Sequence, residues 1–205
     1  MSITLSGAGG VASDPYANYL LYASMTGADG LQLDSTYTPE KGGQTTDSNQ
    51  DGLLASNWAI VNASVPEVYP SGFDVWECGV ANVDIRCDIF VQYAAGIVFN
   101  FVDATHHWCF RGEPGNSIWA LRTEDDNVMA TFYNVSPVAG NQYAVRVVTN
   151  GDNVKCYVND VEVINYTSGG ARSFKAGTKH GIGTYISPGA GGGGNKFKNL
   201  TVAAA

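Results

Sequence analysis

The chain has 205 residues, of which 44% are hydrophobic and 15% are charged, and it contains 25 glycines. Few charges and many glycines are typical of a sheet protein with numerous tight turns, and this length suits one all-β domain. The formal net charge of −8 argues against nucleic acid as a partner, because phosphate binding needs a clustered basic surface. No apolar run is long enough to predict a helix that crosses a membrane.

The N-terminal segment, residues 1–13, contains one short apolar run from Ile3 to Leu5 and is otherwise small, polar and glycine-rich. It lacks the basic and long apolar regions of a secretory signal. We therefore expect a protein that stays in the cytosol where it is made, or that leaves the cell with assembled particles. An edge strand, an assembly arm that binds a neighbour and a frayed tail all stay open for this segment. A single domain is predicted over residues 14–205.

Alternation of apolar and polar residues predicts the first strands. In residues 14–25 the pattern favours a strand over a helical turn, and residues 56–62 alternate with Trp58 and Ile60 on one face. The longest alternation runs from Val83 to Val91, which predicts a strand with one buried and one wet side.

From residue 96 to residue 163 the chain repeats a strand–turn–strand pattern. Apolar runs rich in β-branched and aromatic residues are separated by polar turn clusters such as those at residues 103–106 and 123–127. Two more strands are predicted at residues 180–186 and 197–202. The pattern indicates an all-β fold, an antiparallel two-sheet β-sandwich.

Five stretches, in this order, carry a family resemblance that spans residues 14–202: 30–43, 58–62, 96–103 with His107 and Trp108, 154–161, and 180–183 followed by 196–200. In these stretches the chain resembles the concanavalin A-like lectin/glucanase (laminin-G-like) jelly-roll superfamily, in the form found in phage tail and capsid surface proteins. The resemblance implies a jelly-roll sandwich. It does not imply one activity, because this fold hosts many.

Glycosidases of this superfamily carry a Glu-x-Asp-x-Glu pattern on one strand, and a retaining pair needs its carboxyls about 5–5.5 Å apart. The nearest pattern here is Asp84-x-Arg86-x-Asp88. Its two acids lie roughly 13 Å apart along a strand, and a cation stands between them. We predict a solvated row of ion pairs and no enzymatic activity, while an inverting mechanism with residues elsewhere stays open.

Aromatic side chains are the candidates for carbohydrate binding, because sugars stack on their exposed faces. Trp119 and Tyr133 flank the acidic turn of a predicted hairpin, and with Trp108 they are the predicted sugar-binding residues. Most tryptophans of a sandwich lie in its core, which is the competing interpretation for each of them.

Acidic residues, histidines and cysteines are considered for metal binding and for disulfide formation. Asp125, Asp126 and Asn127 in the acidic turn are the candidate metal ligands, with calcium as the ion, although EF-hand spacing is absent; no other cofactor is predicted. The adjacent His106 and His107 are predicted to point to opposite faces and so not to share a metal. Four cysteines without Cys-x-x-Cys spacing favour buried thiols over disulfides.

Three functions from different classes follow. The first is a non-enzymatic virion surface protein, a phage capsid decoration or tail component, which binds other virion proteins and adheres to surface glycans; its localisation would be the virion. The alternative is a carbohydrate-binding module, and the third is a polysaccharide hydrolase, which lacks the carboxylate pattern. Neither nucleic acid nor membrane is an expected partner, and a homo-oligomer stays open because uncovered edge strands favour association.

Overall fold

A computed structural model describes residues 14–33, 37–43, 47–48, 52–61, 72–123, 127–169, 173–185 and 194–205. These residues form two antiparallel sheets that pack face to face, which confirms the predicted sandwich. The predicted arm, with Ile3 and Leu5, lies outside the described residues. Within the described part of the chain, the structure contains no helix that is both long and apolar enough to cross a membrane.

Fifteen strands run through the described residues. In chain order they are β1 (Leu21–Ala23), β2 (Asp47–Ser48), β3 (Leu53–Ala55), β4 (Trp58–Ile60), β5 (Gly72–Glu77), β6 (Val83–Val91), β7 (Ala94–Asp103), β8 (His106–Glu113), β9 (Ile118–Thr123), β10 (Val128–Phe132), β11 (Asn141–Asn150), β12 (Asn153–Val158), β13 (Val161–Thr167), β14 (Lys179–Tyr185) and β15 (Lys196–Ala204). One turn of 3-10 helix, Pro114–Asn116, joins β8 to β9.

The first sheet has the strand order β13-β12-β11-β6-β15-β4-β3, and β1 also pairs with β15. The second sheet has the order β10-β9-β8-β7-β14-β5-β2. Neighbours along the chain form hairpins, as in β11 with β12 and β12 with β13, whereas β6 lies between β11 and β15. The centre of the first sheet therefore joins segments that are distant in sequence.

The core lies between the two sheets, and β6 shows how the sequence builds it. Its alternate residues Val83, Ile85, Cys87, Ile89 and Val91 are all buried in the central cluster, as the period of two predicts. Each buried aliphatic side chain of this kind contributes roughly 1.5–3 kcal/mol relative to an exposed one.

In the second sheet, strands β5, β7, β8, β9 and β14 are buried on both faces, whereas the edge strand β10 is exposed or partly exposed. One face contributes large side chains such as Trp76, Phe110 and Trp119 to the central core. The opposite face carries a separate buried cluster that includes Phe73, Val98 and other side chains. The first sheet differs, because its strands alternate between buried and partly exposed residues. The outer face of the first sheet is therefore partly exposed to solvent.

All four cysteines carry thiols rather than disulfides, as predicted. Cys87, Cys109 and Cys156 are buried, and Cys78 is half-buried. Burial raises the pKa of Cys78 to about 12, so the thiolate is a minor form at neutral pH.

Candidate functional site

Two of the three aromatic residues predicted to bind sugar lie in the core, so the prediction is wrong for them. Trp119 is fully buried and packs against Phe110 and Tyr143, with ring centroids 5.5 and 5.2 Å away. Trp108 is also buried, and its indole N–H donates to the carbonyl of Ser173 at 2.7 Å. Neither ring offers a face to a ligand, because both lie on the side of the second sheet that meets the first.

The third predicted residue, Tyr133, is 64% exposed at the end of β10, the edge strand of the second sheet. The role of Tyr133 in sugar binding stays a prediction. Of the predicted calcium ligands, Asn127 is exposed, while Asp125 and Asp126 lie outside the described residues. Among the residues that the structure describes, no cluster of His, Cys, Asp or Glu is arranged to hold a metal ion.

A cross-strand row on the outer face of the first sheet brings together residues from five strands. The pairing register places Tyr22 of β1 opposite Thr201 of β15, Thr201 opposite Arg86 of β6, Arg86 opposite Arg146 of β11, and Arg146 opposite Tyr157 of β12. Polar and aromatic side chains therefore cross the sheet perpendicular to the strands.

Two arginines face each other in this row, an arrangement that repels unless a carboxylate lies nearby. Asp84 supplies it: the Arg146 Nε and Nη2 donate to its two oxygens at 2.8 and 2.7 Å, and Arg86 reaches the same carboxylate at 3.4 Å. Burial acts to raise the pKa of Asp84, but the hydrogen bonds from Arg146 and Arg86 outweigh it, so this pKa lies below its ordinary value. The predicted ion-pair row on β6 is present in part: Asp84 pairs with Arg86 and more closely with Arg146, whereas Asp88 accepts a hydrogen bond from the Asn199 amide.

Beside this row the outer face is indented by a depression of about 220 Å³. We call it the outer-face depression; the aromatic, charged and amide residues of its lining are Tyr19, Arg86, Asp88, Arg146, Asp160 and Asn199. They come from the turn before β1, from β6, β11 and β15, and from the turn that joins β12 to β13. The depression thus exists only when the first sheet is assembled.

A stacked group of tyrosines reaches the outer-face depression through Tyr19, the member of the group that lines it. The rings of Tyr16 and Tyr22 stack with centroids 4.4 Å apart, and Tyr19 packs on Tyr22 at 5.8 Å. All three are partly exposed. Stacking within the group restrains the rings, so they present an apolar surface at little further loss of conformational freedom.

Two carboxylates, those of Asp88 and Asp160, also line the outer-face depression. The Asn199 amide donates to one oxygen of Asp88 at 2.8 Å and so fixes that carboxylate. Asp160 lies in the β12–β13 turn with a φ of 64°, and its side chain is exposed. Guanidinium and amide donors, carboxylate acceptors and a tyrosine ring in one shallow depression match what a sugar presents, namely hydroxyls around apolar C–H faces.

A second charged cluster is buried on the other sheet and differs in character. Glu113 accepts hydrogen bonds from Arg111 at 2.7 Å and from Arg122 at 2.6 and 2.9 Å, and the Asn116 amide completes its shell at 2.7 Å. Arg111 also lies over the ring of Tyr185 at 4.4 Å. These charged groups are almost entirely buried, so their interactions stabilise the fold rather than form an open binding surface.

Comparison with known proteins places this fold. The structure is similar to the carbohydrate binding module CBM66 from Bacillus subtilis, with a TM-score of 0.52, 15% identity and coverage of 65% of this chain and 81% of that one. It is also similar to a putative glycosyl hydrolase from Parabacteroides distasonis, with a TM-score of 0.53 and 11% identity over 80% of this chain and 86% of that one.

A third similar structure is a sialidase from Trypanosoma rangeli in complex with sialic acid, with a TM-score of 0.55 and 13% identity. The match covers 99% of this chain but 33% of the sialidase, so this chain spans about a third of that enzyme. No family model matches the sequence, and no curated protein matches it either. At these identities the likeness shows the shared sandwich fold.

Sequence reasoning missed Tyr19, Arg146, Asp160 and Asn199 as site residues. The tyrosine-rich segment and the outward positions of β6 were visible as patterns. Their convergence was not, because β1, β6, β11 and β15 meet through long-range pairing. The outward polar residues of each predicted strand were the available signal.

Proposed function

We propose that this protein is a carbohydrate-binding module without catalytic activity, and that the outer-face depression holds the glycan. The observation that carries the proposal is the placement of a partly exposed tyrosine, Tyr19, beside the donors Arg86 and Asn199 and the acceptors Asp88 and Asp160 in one depression. An aromatic face with a few polar groups around it is the usual chemistry of a sugar site. The similarity of the fold to a carbohydrate binding module supports the same ligand class.

The state of two carboxylates, Asp84 and Glu113, supports binding over hydrolysis. A glycosidase needs a general acid whose pKa is raised, so that it carries a proton near neutral pH. The pKa of Asp84 lies below its ordinary value because the arginine hydrogen bonds outweigh its burial, and the same holds for Glu113, where the two neighbouring arginines outweigh burial. Both carboxylates are therefore poor proton donors.

A glycan array of neutral and acidic sugars, followed by calorimetry on the best ligand, tests the proposal. We expect Tyr19→Ala to weaken binding by about tenfold or more, the loss that follows when one stacking aromatic is removed. Tyr133→Ala is the matched control, because it removes an exposed tyrosine from the other sheet. If no array glycan binds, the proposal is wrong; if Tyr133→Ala is the damaging change, the site is at β10 instead.

The virion role predicted from the sequence is a separate proposal about where such a module works. Its support is the family resemblance and the composition of the chain. Mass spectrometry of purified particles tests it, and a module that is absent from particles but binds glycans would leave the binding function standing alone.

A further inference from the structure

We infer that the outer-face depression selects an uncharged glycan and disfavours acidic sugars such as sialic or uronic acids, with Asp88 and Asp160 as the discriminating groups. This inference rests on the proposed glycan-binding function and specifies its ligand class. It runs against the expectation that the sialidase complex among the similar structures would suggest.

The charges around the outer-face depression carry the argument. Its described lining contains two guanidiniums, Arg86 and Arg146, and two carboxylates, Asp88 and Asp160. A third carboxylate, Asp84, is hydrogen-bonded to both arginines. Lys198 adds a positive charge, because it lies opposite Asp88 in the register of β15 and β6, and its ammonium is held over the ring of Trp58 at 4.2 Å. At neutral pH these three positive and three negative groups balance, on a chain whose formal net charge is −8.

The distribution of these charges matters more than their sum. Arg146 is held by both oxygens of Asp84 and lies over the ring of Tyr157 at 5.0 Å, so it is committed within the protein. Arg86 meets Asp84 at the longer distance of 3.4 Å, and 54% of its side chain is exposed. A ligand therefore meets one available guanidinium with two carboxylates beside it.

Neutral hydroxyls suit this set of groups. A hydroxyl donates to a carboxylate and accepts from a guanidinium or an amide at the same time, so adjacent hydroxyls of one ring satisfy Asp88, Asp160 and Arg86 together. Asn199 binds one oxygen of Asp88 and leaves the other as an acceptor. An ionised sugar carboxylate has no hydrogen to donate to Asp88 or Asp160. It also brings a third negative charge close to these two, which costs free energy.

Paired glycans that share sugar configuration but differ in charge test the inference. The probes are polygalacturonate and polymannuronate, each with its carboxyl-reduced neutral form, and sialyllactose with its methyl ester, measured by affinity electrophoresis and calorimetry at low and at high salt. We expect the neutral member to bind about tenfold tighter or more in at least one pair, and salt to narrow that gap because ions screen exposed charges.

One substitution assigns the effect to the site. Asp160→Asn keeps the shape of the side chain, and asparagine tolerates the left-handed backbone at this position. The substitution should reduce the ratio of the two dissociation constants, acidic over neutral sugar, by about threefold or more. Asp152→Asn is the matched control: it removes the same charge at the turn between β11 and β12, where Asp152 pairs with Lys175 at 2.8 Å, and it should leave the preference unchanged.

The outcomes separate the two proposals. If the acidic partners bind as tightly as the neutral ones, or if Asp160→Asn leaves the preference unchanged, the charge-selection inference is wrong while glycan binding stands. If neither member of any pair binds and the glycan array is empty, the proposed function fails and the inference fails with it.

Discussion

At the scale of single residues, burial decides how two adjacent histidines behave. His106 is exposed, and its Nδ1 lies 2.8 Å from the Asp103 carboxylate. His107 is 1% exposed, which confirms that the two side chains point to opposite faces of the strand. Burial, reinforced by the positive charge of Arg111, lowers the pKa of His107 from 6.5 to about 4.

This shift predicts how stability depends on pH. The unfolded chain takes up a proton on His107 at higher pH than the native protein does, so the free energy of unfolding should fall as the pH falls through the window between the two pKa values. Above that window the stabilisation is complete. From about pH 7 to about pH 5 the loss should be roughly 2 kcal/mol.

Urea unfolding at a series of pH values measures this loss. His107→Gln should flatten the slope in the window, because the replacement does not titrate. His106→Gln, an exposed neighbour, should keep the wild-type slope. An unchanged slope in His107→Gln would show that other groups dominate.

At the scale of elements, a bulge in β7 depends on one asparagine. The register of β7 shifts against β8 between Phe99 and Asp103, and Asn100 at the shift has a φ of 47°. Its buried side-chain amide donates to the carbonyls of Gly177 at 2.7 Å and Ala81 at 2.9 Å. The bulge therefore ties β7 to the segments that precede β14 and β6.

Asn100→Ala should lower the free energy of unfolding by about 2–4 kcal/mol, because two partly buried carbonyls lose a donor and alanine is strained at positive φ. Asn100→Gly loses the same hydrogen bonds, but glycine adopts a positive φ without strain. It should therefore be less destabilising than Asn100→Ala by about 1 kcal/mol. Equilibrium unfolding of both variants checks the order. Equal stability of the two variants would contradict the backbone part of the argument.

At the scale of the whole molecule, the two sheets differ in how much of their surface is exposed to solvent. The central strands of the second sheet are buried on both faces and hold a buried charge network around Glu113. The first sheet keeps its outer face partly exposed, with the row from Tyr22 to Tyr157 across it. We therefore expect a ligand of the proposed kind to bind to the first sheet.

Four reduced cysteines distributed over both sheets report on the integrity of the sandwich. Iodoacetamide at about pH 8 should label the native protein slowly and at Cys78 first, because Cys78 is half-buried and the others are buried. All four should react at once in denaturant, and a reductant should not shift the unfolding midpoint. Fast labelling of buried Cys87 or Cys156 in native protein would show that the sheets open locally.

The sequence by itself determined the class of fold and the orientation of residues within a strand. Side chains alternate with a period of two, so the pattern of β6 already showed that Asp84, Arg86 and Asp88 share a face opposite the core residues. Most predicted strands are present for the same reason, since turn residues and apolar runs are local signals. In residues 14–25, however, only Leu21–Ala23 form a strand, and residues 15–18 form a turn.

Only the tertiary structure decided which strands are neighbours and which faces are covered. That Arg146 lies opposite Arg86, and that Tyr19 and Asp160 border the same depression, follows from long-range register. Trp119 illustrates the second limit: the pattern showed that it lies in a strand, but not that its face meets the other sheet. Pairing and burial depend on contacts between distant segments, and no short stretch of sequence contains both partners of such a contact.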